Sequence, residues 1–130
     1  MLTLTSRQVV EMVAHARQEA PNECCGLLFG REGRVERVFR GTNVDRSPLT
    51  YRMDPRELLE IPRMEAQGLN LVGIYHSHPA SPAVPSRTDV ARAYYPDVAY
   101  VIVSLAAAEP DVRAYRIADG RVEDVELVIR

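Results

Sequence analysis

At 130 residues, with 46% hydrophobic and 26% charged side chains, the chain has the composition of one globular domain spanning residues 1-130, without room for a second. A net charge of -2 argues against nucleic acid or an anionic membrane as partner, and no apolar run approaches the ~20 residues needed to cross a bilayer. Met1-Leu2-Thr3-Leu4-Thr5 lacks the basic region and long apolar core of a signal peptide, so a cytoplasmic location is expected.

A short strand is predicted near Leu2–Leu4, then a helix from about Ser6 to Glu19 capped by Thr5 or Ser6. Val9, Val10, Met12, Val13 and Ala16 recur at helical spacing and form its apolar face, and His15 within this pattern reads as a structural or surface residue. Pro21-Asn22 ends the helix. Strands follow at about Cys24–Phe29 and Arg34–Arg40, with Arg31-Glu32-Gly33 as the hairpin turn. Asn43–Thr50 is polar and loop-like, and Tyr51–Met53 is a short extended piece. Asp54 is the N-cap of a second helix with Pro55 at its first position, and Pro62 in the middle predicts a kink or a break.

Leu71-Val72-Gly73-Ile74-Tyr75 is apolar and β-branched enough to be a strand, and it runs into His76-Ser77-His78-Pro79. A third helix opens at Ser86, and Pro96-Asp97 resets the chain. Val98–Leu105 reads as a fully buried strand. Alternating strands near Val112–Ile117 and Val122–Ile129, turned by Asp119-Gly120, close the chain. The class is α/β: a mixed β-sheet flanked by about three helices.

The cysteines, Cys24 and Cys25, are adjacent. On a strand they point to opposite faces, so a disulfide between them would be strained, and they read as small buried residues in a reducing compartment. The alternative is that one of them contacts substrate or is oxidised. Every basic residue is arginine, which a GC-rich coding bias explains most simply; a second consequence is that no lysine offers an amine for isopeptide attachment. Arg31, Arg34 and Arg52 are candidates for contacting an acidic partner.

His76 and His78, one residue apart on a strand, point to one face. Asp89 follows in the first turn of the helix that opens at Ser86, beyond a loop stiffened by Pro79, Pro82 and Pro85. Taken singly, His-x-His is common on solvated edges, and Ser86-x-x-Asp89 is a variant of the capping box. Together, two imidazoles and a carboxylate make three protein ligands for zinc, with the fourth position left for water as in a catalytic site.

The pattern His76-Ser77-His78-Pro79, Ser86 and Asp89, with Glu23 upstream before Cys24-Cys25-Gly26-Leu27-Leu28-Phe29-Gly30, resembles the signature of the JAMM (MPN-plus) metallopeptidases. It is similar to the small single-domain bacterial form that processes sulfur carrier proteins. The resemblance implies a cytidine-deaminase-like core with one Zn²⁺ per chain on His76, His78 and Asp89. It implies Glu23 as the general base toward an activated water, later delivering the proton to the leaving amine. It implies Ser86 as a donor near the developing oxyanion or the water, a duty that competes with capping the helix. The implied substrate is a ubiquitin-like sulfur carrier protein, cut after its C-terminal Gly-Gly at a peptide or isopeptide bond. Its extended tail is expected to add to an exposed strand edge beside the metal.

The alternatives are a deubiquitinase-like isopeptidase that removes modifiers from lysines, and a non-catalytic MPN scaffold. Scaffold relatives typically lose metal ligands, whereas all are present here. A zinc deaminase needs His-x-Glu and Pro-Cys-x-x-Cys, which this chain lacks. A homodimer is a possible assembly.

Overall fold

The computed structural model describes residues 1–130. Strand β1 (Leu2–Leu4) leads into helix α1 (Ser6–Glu19). Thr5, not Ser6, is the cap: its hydroxyl accepts from the Gln8 N–H at 3.1 Å, while the Gln8 side chain accepts from the Thr5 N–H at 2.9 Å. The hairpin β2 (Cys25–Arg31) and β3 (Arg34–Arg40) follows, its turn carrying positive φ at Glu32 and Gly33. Next come a 3₁₀ helix (Pro55–Leu59), α2 (Glu60–Glu65), β4 (Asn70–His78), α3 (Arg87–Ala91), β5 (Ala99–Ser104), β6 (Asp111–Ala118), β7 (Arg121–Val125) and β8 (Leu127–Ile129).

The eight strands form one mixed sheet in the order β7-β6-β5-β4-β2-β3-β1-β8. The β4–β5, β1–β3 and β1–β8 pairs are parallel and the others antiparallel. Strand alternation sends Leu28, Tyr75, Val101 and Val103 to one face, where they pack on Met12, Val13 and Ala16 of α1. Leu27, Phe29, Ile74, Ile102 and Tyr115 face the other way, toward Leu58, Ile61 and Met64 of the 3₁₀–α2 segment and Val90 of α3. The result is α1, sheet, and short helices, a three-layer α/β arrangement. The mixed sheet with three α-helices agrees with the class expected from the sequence, and none of the helices is long and apolar enough to cross a membrane.

Two local expectations need correcting. Val122–Ile129 is not one strand: β7 pairs with β6 at one end of the sheet and β8 with β1 at the other. A single residue, Glu126, separates them, so the sheet has to curl until its two edges meet, and the Glu126 carbonyl accepts from the Leu2 N–H at 2.9 Å. The second correction concerns Pro62, which does not kink a continuous helix. The break comes earlier, where the 3₁₀ turn ends at Leu59 and α2 starts at Glu60. Pro62 thereby sits in the first turn of α2, where an N–H has no intrahelical partner to lose.

Candidate active site

β4 lies inside the sheet, paired to β2 through Cys25↔His76 and to β5 through His76↔Ile102 and His78↔Ser104. Both its edges are occupied, and the sheet's outer strands are β7 and β8. The strand edge expected beside the metal is therefore not that of the histidine-bearing strand. Alternation puts His76 and His78 on the face away from α1, both buried. Beyond them the Pro79–Pro85 loop is fastened at three points. His78 Nδ1 lies 2.8 Å from the Pro82 carbonyl, Ser104 Oγ donates to the Ser81 carbonyl at 2.6 Å, and Tyr115 Oη donates to the Ala83 carbonyl.

That loop delivers α3. Ser86 Oγ accepts from the Asp89 N–H at 3.0 Å and Asp89 Oδ2 accepts from the Ser86 N–H at 2.9 Å, a reciprocal cap. The same Oδ2 lies 3.1 Å from His76 Nε2 and 3.0 Å from His78 Nε2, and the two Nε2 atoms are 3.2 Å apart. The ligating atoms of the three residues all lie within 4.8 Å of one another, and all three residues are buried. Lone pairs converging in a dry site repel unless a proton or a cation sits among them, so the group is one that can hold a metal ion. Burial alone would raise the Asp89 carboxyl, but hydrogen bonds from His76 and His78 hold it well below the usual carboxylate range. Burial lowers the His76 imidazole; for His78 the Asp89 and Pro82 hydrogen bonds outweigh burial and raise it.

Glu23 precedes β2. The Ser77 N–H donates to the Cys24 carbonyl, so the β2–β4 ladder continues past Cys25↔His76 and brings Glu23 alongside His78 on the same face. Glu23 is 3% exposed, and its Oε1 has no hydrogen-bond partner. Burial pushes its carboxyl up to about 8; His78 pulls it down and Asp89 pushes it up. All five residues singled out in the sequence thus gather around one end of β4.

Two neighbours escape a reading of the sequence. Tyr51 stacks on His76, with ring centroids 4.6 Å apart at 25°. Asn43 organises the loop that carries Tyr51, its side-chain amide spending all its capacity on Glu23, Thr50, Asp45 and Arg52. A lone aromatic after a polar stretch is the only local hint of either. A cavity of about 360 Å³, walled by Tyr51, Leu27, Leu58, Ile74 and Tyr100, adjoins the site.

The other residues singled out in the sequence lie outside this group. His15 is buried with Nδ1 2.7 Å from Tyr75 Oη, on the α1 face of the sheet and away from the site. Cys24 and Cys25 are free and buried; burial pushes the Cys24 thiol up to about 11 and the Cys25 thiol further, which leaves both as packing groups. Arg31 bonds the Gly68 carbonyl, Arg52 pairs with Asp45 at 3.7 Å, and Arg34 is exposed.

A three-layer mixed sheet with His-x-His on a central strand and Asp on the next helix is the arrangement of a JAB domain. Residues 5–118 match the model of prokaryotic homologs of the JAB domain, and the chain belongs to that family. The CysO-cysteine peptidase of Mycobacterium tuberculosis is 47% identical over 128 residues, covering 95% of this chain and 88% of that protein. A probable TtuB-protein conjugate cleaving protease of Thermus thermophilus is 44% identical over 121 residues, covering 92% and 76%. The solution structure of a protein from Desulfitobacterium hafniense superposes with a TM-score of 0.90 at 44% identity, covering 100% of this chain and 93% of that one.

Proposed function

We propose that the protein is a zinc-dependent peptidase that hydrolyses the bond after the C-terminal Gly-Gly of a ubiquitin-like sulfur carrier protein. The observation that carries this reading is the convergence of His76 Nε2, His78 Nε2 and Asp89 Oδ2 beside a buried Glu23 whose Oε1 has no partner. Two relatives support the substrate class by name: one is a CysO-cysteine peptidase, the other a probable TtuB-protein conjugate cleaving protease. The donor set suits zinc. Ligands about 2.0–2.1 Å from a tetrahedral ion stand about 3.3–3.4 Å apart, close to the 3.0–3.2 Å separations of these three atoms.

His76, His78 and Asp89 would hold one Zn²⁺ per chain, and the ion would supply Lewis acidity and lower the pKa of water to about 7. Glu23 accepts a proton at its unpaired carboxylate oxygen from the attacking water and returns it to the departing amine nitrogen. Burial favours the neutral carboxyl when no cation is near, and a bound dication would favour the anion that a base must be. Ser86 serves two duties without conflict. Capping uses a lone pair of Oγ, whereas the O–H remains free to donate to the carbonyl oxygen as negative charge develops there.

The test is intact-mass analysis of carrier proteins extended beyond Gly-Gly by cysteine or a short peptide, incubated with the zinc-loaded protein. Loss of the extension, absent with Glu23→Gln, supports the reading. Zinc uptake with no cleavage of any carrier would instead favour a lysine-linked conjugate or a scaffold.

A further inference from the structure

His78 and His76 are held in different ways. His78 Nδ1 reaches the Pro82 carbonyl at 2.8 Å, which fixes both its ring orientation and the tautomer that presents Nε2. His76 Nδ1 is buried and has no hydrogen-bond partner. His76 Nε2 lies 3.1 Å from Asp89 Oδ2, but that is the atom a metal would take. An imidazole turns about a broad, roughly two-fold χ2 potential, so a ring with no tether at Nδ1 needs another restraint to keep Nε2 aimed at one point. The His78 ring meets it only edge-on, at 5.0 Å, whereas the Tyr51 ring is stacked flat against it at 4.6 Å and 25°.

Tyr51 is itself clamped. Asn43, 6% exposed, grips the residues on either side of it: Nδ2 donates to the Thr50 carbonyl and Oδ1 accepts from the Arg52 N–H, both at 3.0 Å. Arg92 donates to the Tyr51 carbonyl at 3.1 Å. The same Asn43 amide also donates to the Glu23 carbonyl at 3.0 Å, and the Glu23 N–H donates to the Ser47 carbonyl at 2.9 Å. One loop therefore ties the backbone of Glu23 to the ring that covers His76.

We propose that Tyr51 is the positioning residue for His76, its stacked ring giving the orientation that a hydrogen bond at Nδ1 gives in most metal-bound histidines. This rests on the reading of His76, His78 and Asp89 as zinc ligands. The hydroxyl takes no part, so phenylalanine serves as well as tyrosine. A flexible side chain of similar bulk fills the space without holding the imidazole.

The test is a chelator-competition titration of the full chain with zinc alone, on proteins first checked for a cooperative unfolding transition. Tyr51→Phe is expected to bind zinc within about threefold of wild type, and Tyr51→Met about 10–100-fold more weakly, the usual cost of losing an outer-sphere partner. Leu69→Ala, a truncation in the same apolar cluster before β4, is expected to leave affinity unchanged. Wild-type affinity in Tyr51→Met overturns the proposal. So does an equal loss in Tyr51→Phe, which would make the hydroxyl the agent, or an equal loss in Leu69→Ala, which would make general loosening the cause. If Tyr51→Met does not fold, Asn43→Ser carries the test, because it loosens the Tyr51 loop by removing the amide's bonds to Thr50, Arg52, Asp45 and the Glu23 carbonyl, while keeping the ring and all three ligands. Weaker zinc binding in that variant supports the proposal, and unchanged binding overturns it. A wild-type chain that takes up no zinc sinks the three-residue centre too, whereas a zinc-binding wild type with an undiminished Tyr51→Met sinks the role of Tyr51 alone.

Discussion

Replacing Glu23 by glutamine should make the metal-free protein more stable while disabling it. Burial raises the Glu23 carboxyl from an ordinary 4.5 to about 8 in the folded chain. Below 4.5 the group is protonated in both the folded and unfolded states and favours neither. Between 4.5 and 8 the unfolded chain has released its proton while the folded chain retains it, so stability falls as pH rises. At about 1.4 kcal/mol per unit, this loss amounts to about 3 kcal/mol between pH 5 and pH 7.5. The amide of Glu23→Gln does not ionise, so any fixed cost of burying it is the same at every pH. The stability difference between the variant and wild type should therefore grow by about 3 kcal/mol over that range. Urea unfolding of chelator-treated proteins at several pH values measures it. Zinc should shrink the advantage of the variant, because a dication favours the carboxylate, while turnover in Glu23→Gln falls about 10²–10⁴-fold. A difference that stays constant from pH 5 to pH 8 would refute the neutral, buried carboxyl and with it the electrostatic account of the base.

Three further outcomes are expected. His76→Ala should lose its zinc by elemental analysis, and full stoichiometry in that variant would remove His76 from the ligand set. Gly26→Ala should cost about 1–3 kcal/mol in denaturant unfolding, because a Cβ at this position runs into the Tyr75 ring and the Phe39 carbonyl; unchanged stability would show that β2 and Tyr75 can move apart. Ser86→Ala should cost about 1 kcal/mol through the lost cap and also lower turnover, while Ser86→Thr keeps both. Full turnover in Ser86→Ala would leave the hydroxyl with capping alone.

Most of the site was readable before folding because its parts are local. His76 and His78 share a face by the period of a strand, and Ser86 and Asp89 meet within one helical turn. Glu23 was reachable only through the family pattern, since its sequence context is that of any charged residue before a strand. The structure brings it to His78 through the β2–β4 register, a pairing between residues far apart in the chain. Tyr51 and Asn43 were not legible at all. Their importance comes from what the loop closes over, and a polar segment looks the same whether it covers a metal site or solvent.

The same division holds for the whole chain. Apolar periodicities, caps, turns and the spacing of the ligands are legible in the linear chain, because each depends on neighbours within a few residues. Long-range packing divides Val122–Ile129 at Glu126 between the two edges of the sheet. Both halves alternate alike, and closure of a curled sheet around α1 is a property of all eight strands. Packing also buries Glu23 with its Oε1 unpartnered and lays Tyr51 against His76, since burial and stacking depend on groups distant in the chain.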